Sequence, residues 1–555
     1  MPSAKVKYAI LLALIIAAGI ALSIKTVLGP GTFLDFWDDT LYIYFSHYIA
    51  TYGFNNIAVA SFATEYILVG VPAIIFKFFG VSLLTEGMFS MLCLTGTIIS
   101  IFLIGKTLHN EFAGIISALT FILVPLVAAE GAASGDNMAV AFFATLAVLM
   151  LLLGAKKKQA IYYLLSGFIG LLGVLAGSPL NLLVFMFLVP YLLFLLFKNR
   201  SRVQLRHTLV FIAGMLTAVA VILLCGYILQ SEPFTYFITN YIDMQYLTSP
   251  TPNFLEYISI LFPFKPLYNA SPELLFWPFV GDFWNSFNPN VIGFFGYAML
   301  ASLAYLIIRK QYEVFLPFSW FGLILLYLSF GEDSFSGAYM LFDVRFTIIL
   351  IPAMAVIIGL AISKFVETAL PKKKPRRIRS QHVFYKAMLL IIILAYAFIT
   401  ANSFLLMNFI HEANYMLTYQ WAQVANALLS LPQNASIYVV SGLSDNPGMS
   451  ANQSTGPEGF PNVSSYISNS NFLQLMAIEG YAGYSINANF SGVFSNCSTL
   501  KGDYIIGVNA IFYENELPLC SNMSVYFSPE PTISLANYEE YVSPLAQITL
   551  YKRNH

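Results

Sequence analysis

Apolar runs of roughly 17 to 25 residues, the length that crosses a bilayer as a helix, recur along the chain. They lie near 8–28, 82–105, 112–129, 138–154, 160–177, 180–197, 208–229, 291–308, 314–330, 347–363 and 387–408, which predicts about eleven transmembrane helices. Segment 59–80 is apolar too but is interrupted by Glu65, Pro72 and Lys77. A twelfth span there would invert the sidedness of everything after it, so the segment reads as an interfacial or re-entrant helix on the outer face. Beyond residue 409 the apolar runs become too short to span. Ala413 to Leu431 has the period of an amphipathic helix, Ser436 to Val440 and Asp503 to Val508 read as short buried strands, and Ile548 to Tyr551 as a closing strand. The expected organisation is a transmembrane domain over 1–408, with an outer loop at 30–81, and a small extracytoplasmic α/β domain over 409–555.

Charge gives this pattern a direction. With the N-terminus inside, twenty of the 27 Lys and Arg residues fall on one side of the spans, as the positive-inside rule requires. The longest basic stretch, Pro371-Lys-Lys-Lys-Pro-Arg-Arg-Ile-Arg379, then reads as a topology anchor near anionic lipid. The first span is too long for a removable signal peptide and lacks a small-residue cleavage site. Composition agrees with a polytopic membrane protein: of 555 residues, 58% are hydrophobic and only 10% charged, and the mean hydropathy is +0.72.

The tail holds six Asn-X-Ser sequons, at Asn434, Asn452, Asn462, Asn489, Asn496 and Asn522. That density suits an outward, glycosylated domain. Cys93 and Cys225 fall inside spans and read as packing residues. Cys497 and Cys520 lie together in the tail, where a disulfide suits an oxidising compartment.

The densest chemistry follows the first span, in Asp35-Phe-Trp-Asp-Asp-Thr-Leu-Tyr-Ile-Tyr44. Three carboxylates where a membrane helix meets water are costly unless they bind or react. Asp38 and Asp39 would diverge by about 100° on a helix or point to opposite faces of a strand, so they are not a pair sharing one proton. A capping role, with Asp39 or Thr40 starting a helix from Leu41 through Thr51, accounts for one carboxylate but not three. Glu130 and Asp136 form a second outer acidic site. His47 reads as an interface residue, while Glu65 either contacts an acceptor or solvates its helix. Trp277, Trp284 and Tyr268 suit the headgroup belt. No Walker, Rossmann, His-Glu-x-x-His or Cys-x-x-Cys pattern is present, so nucleotide and zinc sites have no support, and nucleic acid is not an expected partner.

The first span followed by Asp38-Asp39-Thr-Leu-Tyr-Ile-Tyr44 resembles the GT-C membrane glycosyltransferases, which use polyprenyl-phosphate sugars. Phe79-Gly-Val-Ser82, Gly135-Asp-Asn137 and Asp343-Val-Arg-Phe-Thr347 extend the likeness, which covers most of 1–365 in layout and points to the protein mannosyltransferase and aminoarabinose-transferase branches. The resemblance implies a GT-C-like fold with interfacial helices in the outer loop. It also implies inverting transfer of a hexosyl group from a polyprenyl (dolichyl) phosphate to a protein, lipid or glycan acceptor outside the cell membrane. Asp38 or Asp39 would then be the general base, and Arg345, with Lys265 as a further candidate, would bind the donor phosphate. Lys77 is a weaker candidate for that phosphate, and an ion pair with Asp343, Asp333 or Glu332 is an alternative use of Arg345. Asp35, Tyr42, Glu65, Glu130 and Asp136 are candidates for substrate contact. No cofactor is demanded; a divalent metal at Asp38, Asp39 and Asp136 stays open.

Glu130 to Asn137 also resembles the second acidic motif of oligosaccharyltransferases, but Met138 stands where that motif supplies another carboxylate, and the tail lacks Trp-Trp-Asp-Tyr-Gly. An oligosaccharyltransferase-like enzyme and a lipid-linked sugar transporter or flippase are the competing expectations. A transporter would place ionisable groups near the bilayer midplane, whereas these cluster at one face.

Overall fold

The computed structural model describes residues 4–26, 36–54, 65–80, 83–176, 179–199, 202–230, 292–330, 344–370, 379–429, 437–441, 504–509, 527–529 and 547–553. Lys265, Asp35, Cys497 and Cys520 lie outside them, as do Trp277, Trp284, Tyr268 and the six sequons. Two compact units emerge. The first joins 1–27, 64–68 and 89–410; the second joins 28–63, 69–88 and 411–555.

In the first unit the helices are α1 (Ala4–Thr26), α5 (Met88–Leu108), α6 (Glu111–Ile122), α7 (Pro125–Glu130), α8 (Asn137–Lys157), α9 (Ala160–Leu172), α10 (Val184–Asn199), α11 (Arg202–Gln230), α12 (Phe295–Ile308), α13 (Phe315–Phe330), α14 (Ile351–Ala369) and, up to residue 410, α15 (Arg379–Leu429). The second unit holds α2 (Phe36–Tyr52), α4 (Leu83–Glu86) and most of α3 (Tyr66–Phe79). Among the described residues, six helices are long and apolar enough to cross a membrane: α1, α5, α8, α11, α14 and α15. The other five expected spans are also helical, but shorter or interrupted. The span expected at 112–129 shows why. Val124 precedes a proline and takes extended backbone (φ −74°, ψ 124°), which ends α6, and Pro125 opens a new six-residue helix.

The helices of the first unit pack through small residues, since lipid tails are as apolar as leucine and give helices no hydrophobic reason to associate. α9 and α11 approach so closely that a Cβ at Gly167 would land on the Phe211 carbonyl oxygen and one at Gly214 on that of Leu164. α14 crosses α6 in the same way, with Gly359 against Ser117 and the Ala113 carbonyl. At the basic end of these helices Asn110 caps α6 by accepting from the Ala113 N–H at 2.8 Å. Its amide donates to Glu367 Oε1 at 2.9 Å, and Ser363 donates to its Oδ1 at 3.1 Å, which ties the α5–α6 turn to α14.

In the second unit α2 and α3 meet where His47 stands edge-on to Phe76, ring centroids 6.5 Å apart. Its strands β1 (Ile437–Ser441), β2 (Tyr504–Asn509), β3 (Phe527–Pro529) and β4 (Gln547–Arg553) form one mixed sheet in the order β1-β2-β4-β3. β1 runs parallel to β2, with Val439 opposite Ile506, and β4 runs antiparallel to both β2 and β3. Three of these strands fall where the tail's apolar runs were expected to form them. The amphipathic helix expected from Ala413 is instead the end of α15, continuous with the span before it.

Candidate functional site

The acidic segment after the first span begins a helix earlier than capping chemistry suggests. α2 starts at Phe36 rather than Leu41, so Asp38 and Asp39 are its third and fourth residues and neither Asp39 nor Thr40 is the cap. The first turn of a helix is where the macrodipole favours negative charge. Tyr42, one turn further on, is buried, and its carbonyl accepts from Ser46 Oγ at 2.6 Å. His47 lies about 12 Å of helix rise beyond Asp39. Burial lowers its pKa, and its ring stands edge-on to Phe76 of α3.

The second acidic site belongs to the first unit. α6 rises from the turn where Lys106 pairs with Glu111 at 3.3 Å, and α8 descends to Lys156 and Lys157; the break between them, residues 123–136, lies at the opposite end from those charges. Glu130 ends α7 and is 1% exposed. The Asn137 amide, in the first turn of α8, donates to Glu130 Oε2 at 3.1 Å. Asp136 is the N-cap of α8 and is buried, its carbonyl accepting from Val140 N–H at 2.9 Å. A 3-10 helix, Val344–Leu350, packs on both α7 and α8 and leads into α14. It carries the backbone of Arg345 to the helices that hold Glu130 and Asp136; its Thr347 is buried. Glu65 also belongs to this unit and is buried, so it does not solvate its helix.

The carboxylates therefore sort into two sets. Glu65, Glu130 and Asp136 share a unit with the Arg345 backbone, whereas Asp38, Asp39 and Tyr42 share the other with Lys77, which is exposed on α3. Among the described residues no three His, Cys, Asp or Glu side chains stand close enough to hold a metal ion. Asn137 was not among the expected site residues, though it adjoins Asp136 in the motif. Glu86 was missed altogether. It is buried, neither carboxyl oxygen has a hydrogen-bond partner among the described residues, and desolvation pushes its pKa up to about 8.

Residues 70–226 match the dolichyl-phosphate-mannose-protein mannosyltransferase family. No curated protein matches the chain. Among solved structures, ArnT from Cupriavidus metallidurans bound to undecaprenyl phosphate superposes with a TM-score of 0.51 at 12% identity, over 90% of this chain and 92% of that one. In fold, the chain is similar to membrane glycosyltransferases of the GT-C type. The oligosaccharyltransferase of Archaeoglobus fulgidus, tethered to an acceptor peptide with an NVT sequon, gives a TM-score of 0.52 at 12% identity, over 89% of this chain and 68% of that one. Both likenesses span the GT-C fold of this chain almost end to end.

Proposed function

We propose that this chain transfers a single sugar, with inversion, from a polyprenyl-phosphate donor to a protein, lipid or glycan acceptor on the extracytoplasmic face. The observation that carries the reading is the acidic break between α6 and α8. It holds buried Glu130 and Asp136 at the end opposite Lys106, Lys156 and Lys157, and the 3-10 helix that includes Arg345 packs on α7 and α8. The mannosyltransferase match over 70–226 and the undecaprenyl phosphate bound to ArnT support a lipid-phosphate donor.

In this mechanism Asp38 or Asp39 takes the proton from the acceptor hydroxyl as its oxygen attacks the anomeric carbon. The bond from that carbon to the phosphate oxygen breaks, and the electron pair leaves with the lipid phosphate. An ionised carboxylate also offsets positive charge developing on the sugar. The Arg345 guanidinium, with Lys265 as a second candidate, meets the phosphate with paired donors. Asn137 holds Glu130 in place by the 3.1 Å hydrogen bond, and Asp35, Tyr42, Glu65, Glu130 and Asp136 contact substrate. The site and the tail face the cell exterior, with Cys497 and Cys520 joined.

An oligosaccharyltransferase-like activity is the second reading, favoured by the superposition on the Archaeoglobus fulgidus enzyme. The absence of Trp-Trp-Asp-Tyr-Gly from the tail favours the single-sugar reading. Purified protein is assayed for polyprenyl phosphate released from a panel of lipid-phosphate sugars, beside Asp38→Asn, Asp39→Asn and Arg345→Ala. Loss of turnover by about 100-fold or more in one Asp variant, with folding intact, is the expected result. Movement of sugar-lipid across liposomes with no turnover from any donor would replace the enzyme by a flippase. Turnover that persists in EDTA assigns the work to protein side chains; loss restored by a divalent cation assigns it to a metal at the carboxylates.

A further inference from the structure

Helix α14 is polar at one end only. From Ile351 to Ile362 no residue carries a strong hydrogen-bonding side chain; Ser363, Lys364, Glu367 and Thr368 all fall in the last two turns, at the basic end. Thr368 donates within its own helix, to the Lys364 carbonyl at 2.9 Å. The other three reach out. Ser363 donates to Asn110 Oδ1 at 3.1 Å, Glu367 Oε1 accepts from Asn110 Nδ2 at 2.9 Å, and Glu367 Oε2 lies 3.3 Å from His109 Nε2. Lys364, its side chain only 14% exposed, lies 3.5 Å from Glu313 and donates to Gln311, both in the connection from α12 to α13.

Apolar packing is non-directional, whereas a hydrogen bond weakens steeply as its length and angle depart from the ideal. The height of α14 along its own axis is therefore set mainly by this clasp. Its other end carries the consequence. The chain enters α14 directly from the 3-10 helix Val344–Leu350, which puts the Arg345 backbone about 36 Å from Glu367 by helix rise. Because α14 is largely buried, it moves as a rod and passes an axial shift from one end to the other. Asn110 is also the N-cap of α6, from which the chain runs through α7 to Glu130. One side chain thus anchors both the segment that ends in Glu130 and the segment that begins with Arg345. We propose that Asn110 and Glu367 are positioning residues, whose clasp sets the height of Arg345 against Glu130 and Asp136 and hence the fit of the site to a lipid phosphate. That last step rests on the transferase reading; the height does not.

The test is a distance in full-length protein in lipid nanodiscs, read by pulsed electron resonance. Nitroxides are attached to a genetically encoded ketone amino acid at Val344 and at Gln159, the exposed residue that precedes α9. Asn110→Asp keeps the α6 cap but sets a carboxylate against Glu367, and Glu367→Ala removes the acceptor while leaving the cap untouched. Each should move the distance by about 2 to 5 Å, between one residue and one turn of helix rise. Asn110→Asp combined with Glu367→Gln reverses donor and acceptor and should restore the parent distance; Tyr396→Phe, on α15, should leave it alone. An unchanged distance in Asn110→Asp and Glu367→Ala, or a shift that the paired substitution does not reverse, would overturn the proposal. In polyprenyl phosphate release the shifted variants should raise the donor KM about tenfold with kcat within about twofold, and the paired variant should return KM to the parent value. An unchanged KM would overturn the link from height to donor. A distance that shifts in a protein releasing no polyprenyl phosphate would keep the clasp and remove the transferase reading, so the two failures are told apart.

Discussion

Helices α14 and α15 are equally apolar along their spans, yet 83% of the most apolar window is buried in the first and 6% in the second. α14 buries Ile351, Met354, Val356, Ile357, Ile358 and Leu360 as well, but it differs at one crossing where small residues let a neighbour's backbone come close. α14 offers Ala353, Ala355, Gly359, Ala361 and Ser363, all buried, to neighbours that come within backbone contact of Gly359. α15 turns Phe384, Leu390, Ile391, Leu394, Phe398 and Leu405 outward. In a bilayer large apolar side chains are as content against lipid as against protein, so small residues decide which helix becomes the centre. The functional consequence is direct. α14 continues from the 3-10 helix that carries Arg345 and packs on the helices of Glu130 and Asp136, whereas α15 joins the bundle through lateral contacts such as Thr120 to Tyr396 at 3.0 Å and Lys25 to Asn408 at 2.6 Å.

Enlarging the same kind of position on the two helices would break the comparison most sharply. Gly359→Leu should cost about 4 kcal/mol or more, or prevent folding, because the new side chain meets Ser117 and the Ala113 carbonyl. Leu394→Phe on the lipid face of α15 should stay within about 0.5 kcal/mol. Thermal unfolding in detergent, followed by labelling of buried Cys93 with a thiol-reactive fluorophore, reads both. Equal shifts in the two variants would mean that size at the crossing is not what centres α14.

Glu86 tests burial outside the spans. Its folded pKa of about 8 lies above the ordinary carboxyl value, so between pH 4.5 and 8 the folded state holds a proton that the unfolded state has lost. Stability therefore falls as pH rises through that window and is flat above it. Glu86→Gln should exceed the parent by about 3 kcal/mol at pH 7 and converge with it near pH 4.5. A pH-independent gap between the two proteins would show that the carboxyl is not held protonated.

Smaller effects are expected where polar side chains bind the two helices to their neighbours. Asn110→Ala removes the α6 cap and the bonds to Ser363 and Glu367 of α14, and should lower stability by about 1 to 2 kcal/mol. Tyr396→Phe on α15 removes one hydroxyl from Thr120 and should cost about 1 kcal/mol or less. If Tyr396→Phe proved the costlier of the two, α15 would be more than a peripheral helix.

Six of the expected spans and three strands were legible because they rest on local pattern: long apolar runs, and short apolar segments such as Tyr504–Asn509. The break at Pro125 was missed although its cause is local. A continuous apolar run from 112 to 129 conceals Pro125, before which Val124 turns extended and ends the helix. The capping alternative would start a helix at Leu41, five residues after the start of α2 at Phe36, because helix starts depend on neighbours that a sequence does not display. Within the acidic motifs Glu130 and Asp136 stood out by charge. Asn137, which holds Glu130, did not, since a neutral amide announces no partner. Glu86 carried no signal, because burial of one carboxyl at the end of a four-residue helix follows from packing alone.

What the sequence by itself determined is the membrane character of the chain and the residue types available for chemistry, because these depend on hydropathy and short motifs. The tertiary structure alone decided that α14 is central and α15 peripheral, and that Glu65, Glu130 and Asp136 share a unit with the Arg345 backbone while Asp38 and Asp39 belong to the other. Those outcomes turn on which small residues meet across helices far apart in the chain, a relation between distant positions that no local pattern contains.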